Sequence, residues 1–164
     1  MKKLLTALAL VLALTGCTTS NNKPEEPKGP AAITTLDVAT FAGEMEKTEI
    51  AKIKVDVIDA EGHEIEWALK DAQAELRTNL VNTLKTLNLT EAEDQAKQYG
   101  NYSLFIDLNS VLDTNYARLI VVGDILTVKT SAGHKNYTID DAAKTVLTTF
   151  VNEVATEYAK VNAQ

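Results

Sequence analysis

The side chains with the most chemical capacity are one thiol, Cys17, two imidazoles, His63 and His134, and scattered carboxylates and phenols. Each histidine follows a glycine, in Gly62-His63 and Gly133-His134, so both read as exposed turn residues. Asp59, Glu61 and Glu64 lie close to His63 and give it the makings of a weak cation site. Structural zinc takes four ligands, however, and catalytic zinc three with a water. The expectation is therefore no bound metal and no other cofactor. The chain has no GxSxG, CxxC, HExxH, DxDxDG or phosphate-binding glycine loop. A glycosidase needs two carboxylates across a cleft, one of them partly buried. Only Asp107 sits inside an apolar run, between Ile106 and Leu108, and strand alternation turns it to the opposite, wet face. The pairs Glu25-Glu26 and Glu64/Glu66 read as solvated. No residue is assigned a catalytic role, and the chain reads as a non-enzyme. Tyr99-Gly100-Asn101-Tyr102, together with Tyr116, places three tyrosines near loops, where such rings contact glycans or peptides. Their alternative role is to lid the edge of a core. Trp67 alternates with Ile65 and Leu69 and belongs inside.

The thiol has a distinctive setting. Met1-Lys2-Lys3 is basic, and Leu4 to Leu14 form an apolar run broken only by Thr6. As a helix that run spans ~16 Å, too short for a hydrocarbon core of ~30 Å. A basic head, a short apolar stretch and small residues form the layout of a secretory signal peptide. Leu14-Thr15-Gly16-Cys17 then resembles the bacterial lipobox: a branched apolar residue, two small ones and a cysteine. That resemblance implies a diacylglyceryl thioether on Cys17 and cleavage between Gly16 and Cys17. Residues 1–16 would be the signal peptide, and the mature protein would sit on the outer face of the cell membrane. Two or more acyl chains hold a protein at a bilayer in a way one does not.

Cleavage at that point would leave 148 residues and take away two lysines but no acid, moving the formal charge from −7 to −9. So acidic a domain would be repelled by nucleic-acid phosphates. With its one cysteine lipidated, it would have no disulfide to stabilise it. Residues 17–32 carry the lipid and all three prolines of the chain, and read as a disordered tether. The Lys-Lys leader, the Asn/Lys/Pro/Glu tether and a compact domain resemble small surface lipoproteins of Gram-positive Firmicutes. A second resemblance is to Gram-negative envelope-assembly lipoproteins, including penicillin-binding-protein activators. In that setting Thr18, where an aspartate would retain the protein, implies the outer membrane. Either resemblance implies a partner in the envelope, a protein or a cell-wall component; a metal-dependent hydrolase is a weaker alternative.

The elements that would position these residues begin near Ile33. Ile53, Val55 and Val57 alternate with polar residues, Asp59-Ala60-Glu61-Gly62 turns the chain, and Ile65, Trp67 and Leu69 alternate again, a hairpin with one wet face. Ala72, Leu76, Leu80, Leu84 and Leu87 mark a helix over 71–88 with Asp71 as its cap. Thr90-Glu91-Ala92-Glu93 reads as a capping box for a short helix ending near Gly100. Strands follow around Leu104–Leu108, Leu119–Val122, Ile125–Thr130 and Lys135–Thr138. A second capping box, Thr138 to Asp141, opens a last helix whose apolar face is Ile139, Ala142, Val146, Phe150, Val154, Tyr158 and Val161. The halves 33–99 and 102–164 align at a spacing near 70, with Leu80-Val81 on Phe150-Val151, either as tandem repeats or as two units given the same pattern by the same physics. The predicted fold for 33–164 is α+β: an antiparallel sheet covered on one face by two long helices.

Overall fold

The computed structural model describes residues 30–93 and 102–163; the leader, Gly16, Cys17, most of the tether, Tyr99 and nearly all of the short helix expected to end near Gly100 lie outside them. Within the described residues the fold is α+β, a seven-stranded antiparallel sheet with three helices.

The first element is a helix that the strand-first reading above does not contain, α1 (Val38–Lys47). Asp37 caps it, its carboxylate accepting from the Thr40 amide at 2.7 Å. Val38, Phe41, Ala42 and Met45 fall at i, i+3, i+4 and i+7 and are all buried. A 3₁₀ turn at Ile50–Lys52 leads into β1 (Ile53–Ile58), and the predicted hairpin returns along β2 (Glu64–Ala68). Its turn is built by Asp59, whose Oδ1 accepts from the amides of Glu61 and His63, and by Gly62 at φ 85°.

Asp71 does not cap the next helix. It opens a 3₁₀ turn, Asp71–Gln73, which precedes α2 (Ala74–Thr86). In that tighter turn Ala72 faces solvent, and Gln73 is buried with its side-chain oxygen accepting from the Lys70 amide at 3.1 Å. From Leu76 onward the expected stripe holds: Leu76, Leu80 and Leu84 are buried. Thr90 and Glu91 do not open a helix either. They belong to β3 (Leu89–Glu91), an edge strand whose backbone pairs with the end of β7. Pairing with a strand more than forty residues away overrides the local capping pattern.

β4 (Leu104–Leu108), β5 (Ala117–Val122), β6 (Ile125–Thr130) and β7 (Gly133–Ile139) form a meander, and the sheet order is β2-β1-β4-β5-β6-β7-β3. The two predicted repeats are thus interleaved: β1 pairs with β4, and β3 closes the far edge beside β7. The alignment holds for Leu80-Val81 and Phe150-Val151, all buried, and fails at Leu76 and Val146, one buried and one exposed.

α3 (Asp141–Asn162) is capped by Asp140, which accepts from the Ala143 amide at 2.7 Å. Thr138 is still in β7, so the cap falls on Asp140, two residues beyond the one expected. Its inward residues are Ala143, Leu147, Phe150, Val151 and Val154; Ala142, Val146 and Val161 face out. Two stripes one residue apart share Phe150 and Val154. The inward one also buries Leu147 and Val151, the larger apolar set. At 22 residues the helix is ~33 Å long, enough to cross the five strand spacings from β7 to β2. There Tyr158 meets Trp67 edge-on, centroids 5.7 Å apart.

The helices and one face of the sheet share a single core. Two cross-strand rows form its sheet side: Trp67-Val55-Ile106-Leu119-Val128 and Ile65-Val57-Leu104-Val121-Leu126-Tyr137. The opposite face carries no helix among the described residues. No described helix is long and apolar enough to cross a membrane.

Candidate binding surface

Period-two alternation places a second set of rows on the helix-free face. One reads Ala68-Lys54-Asp107-Arg118-Lys129-His134, the next Glu66-Asp56-Phe105-Ile120-Thr127-Asn136. Asp107 lies opposite Ile106 and Leu108, as expected, but it is no solvated acid. Arg118 donates to its two oxygens at 2.6 and 2.8 Å, and the Tyr116 hydroxyl donates at 3.1 Å. The fork-to-carboxylate geometry fixes the guanidinium plane. It rests 4.1 Å from the Phe105 ring centroid and 5.4 Å from that of Tyr116. Tyr102 packs at a tilt against Phe105, centroids 5.5 Å apart, and its hydroxyl donates to Glu64. Hence two of the three sequence-selected tyrosines, Tyr102 and Tyr116, converge on one patch.

Charge sets the tone of the patch. Burial and the neighbouring carboxylates push both tyrosine hydroxyls well above their ordinary pKa, so they act as neutral hydrogen-bond donors. Arg118 is raised, first by its bonds to Asp107. Lys54 bridges Asp56 and Glu66 at 3.2 Å each; these bonds outweigh the downward effect of its burial and raise its pKa. Asp56 is the odd member. It is 5% exposed, one of its oxygens has no partner, and burial raises its pKa despite Lys54.

Residues sequence reasoning passed over are Phe105, Arg118, Lys54 and Asp56. The available signal was an aromatic residue and an arginine at wet positions of strands that alternate cleanly. Only the strand register, absent from the sequence pattern, shows that they meet.

The histidines do not come together. His63 lies in the β1–β2 turn at one end of the sheet, whereas His134 is not a turn residue but stands within β7 near the other, opposite Lys129. Of the acids near His63, Asp59 and Glu61 bring ligand atoms to within 4.8 Å of one another and of the imidazole. Glu64 turns away to Tyr102. The Asp59 carboxylate is held low by the His63 amide and then the His63 ring, which ties it to shaping the turn.

No protein-family model, curated protein or solved structure matches the chain.

Proposed function

We propose that the chain is a membrane-anchored extracytoplasmic lipoprotein whose domain binds an envelope protein or cell-wall component and catalyses no reaction. The lipobox at Leu14–Cys17 supports the anchor. The observation that carries the binding reading is the Tyr102–Phe105–Arg118–Tyr116 cluster on the helix-free face. Arginine and aromatic residues dominate the energetics of recognition surfaces, and here they are pre-organised by Asp107. The same bonding argues against catalysis: Asp107, Tyr116 and Glu64 spend their reactive atoms on one another and on Arg118 and Tyr102. A broad sheet face also suits a polymer or a protein better than a small solute, which is captured in concave sites.

Photo-crosslinking tests the reading. A photoreactive amino acid replacing Tyr102 in the anchored protein should form one discrete adduct, with a protein or with cell-wall polymer. The adduct should weaken when Arg118→Ala removes the neighbouring guanidinium. Adducts no more abundant than those from the same probe at exposed Thr145 on α3 would refute the surface.

A further inference from the structure

Val111 and Leu112 are the most exposed large apolar residues of the described chain, at 61% and 90%. Single apolar side chains on a surface need no explanation. These two are adjacent and sit at the tip of the β4–β5 loop, which is held from within. The Ser110 amide donates to the Asp113 carboxylate at 3.0 Å, the Asp113 amide to the Ser110 carbonyl at 2.9 Å, and the Asn109 side chain to the Asn115 carbonyl at 3.0 Å. Asn109 takes the left-handed conformation, φ 63°, that starts the loop. The loop has a fixed shape that keeps two apolar residues in water. Its only charge, Asp113, is turned back onto its own backbone.

The tether indicates what covers them. The Thr114 hydroxyl donates to the Pro30 carbonyl at 3.4 Å, so the chain enters the folded domain beside this loop. From Cys17 to Pro30 there are thirteen residue steps, at most about 45 Å when fully extended. A lipid on Cys17 therefore keeps this end of the domain within reach of the bilayer. We propose that the Val111–Leu112 tip inserts into the lipid interface as a second membrane contact, orienting the domain on the surface. The inference rests on the anchor reading. Two residues alone would bind lipid only feebly. Linked to an acylated cysteine, they meet the bilayer at high effective concentration and need only select an orientation.

The test uses the full lipidated chain, grown with labelled palmitate and reconstituted into phosphatidylcholine–phosphatidylglycerol vesicles. Val111→Cys and, separately, Glu61→Cys carry a thiol-linked fluorophore; Glu61 lies in the β1–β2 turn at the other end of the sheet. Lipids with nitroxide on the acyl chain should remove most of the emission at 111 and leave that at 61 unchanged. Adding Leu112→Ser should restore the emission at 111. Palmitate on Cys17 with equal emission at both sites overturns the insertion and leaves the anchor standing. Absence of palmitate, with Cys17 itself taking the fluorophore, overturns both. Quenching at neither site in lipid-only vesicles, with a blue shift at 111 only in native membranes, overturns it in favour of a protein partner.

Discussion

Asp56 and Asp107 stand on neighbouring strands of the same open face, in different electrical settings. Asp107 has a guanidinium and a phenol committed to it, whereas Asp56 has one lysine and an oxygen that bonds to nothing. Because the folded chain holds the Asp56 proton more tightly than the unfolded chain, stability falls as pH rises from the ordinary aspartate range through the raised pKa. Asp56→Asn should therefore raise the midpoint of thermal unfolding at pH 7 and flatten its decline between acid and neutral pH. A lower midpoint at every pH would contradict that. Asp107→Asn should destabilise the fold, costing about 1.5–3 kcal/mol in denaturant titration because Arg118 is left without its counter-ion. Alternation correctly assigned Asp107 its face. Its partners, Tyr116 just before β5 and Arg118 within it, lie nine and eleven residues away, and no local pattern names them.

At the level of elements, what the sequence reveals depends on how far each element's partners lie along the chain. The β1–β2 hairpin and α2 from Leu76 onward are local, and periodicity finds both. α1 is equally local, with Asp37 before Val38, Phe41, Ala42 and Met45, so its signal is legible to a reading that does not begin with strands. β3 is not: Thr90-Glu91 satisfies a capping pattern, and only distant β7 makes it a strand. The buried face of α3 sits one residue beyond the expected one because that stripe also takes in Leu147 and Val151, which alignment of single apolar positions does not reveal. Leu147→Ala and Phe150→Ala should cost about 2–5 and 3–5 kcal/mol in equilibrium unfolding. Val146→Ser should stay within about 0.5 kcal/mol, and a large loss there would restore the face containing Ala142 and Val146.

For the whole molecule, the anchor and the fold are separable claims. Cys17→Ala should leave a longer precursor that takes up no labelled fatty acid; lipid found on that variant would end the lipoprotein reading. A chain starting at Ile33 should unfold cooperatively without lipid, since the buried cluster begins at Ile33 and lies wholly within the domain. Biphasic denaturation would show that the sheet and its helices do not form one unit. Under the proposed anchor, copies of the chain would share one plane, at concentrations that favour edge-to-edge strand pairing. Here one rim of the sheet is β2, which presents Glu64 and Glu66, and the other is β3, only three residues long. Approaching copies would oppose carboxylates at one rim and find too little backbone to grip at the other. Replacing both glutamates by valine should make the purified domain self-associate in sedimentation runs, and the unaltered domain should sediment as a monomer in the same runs.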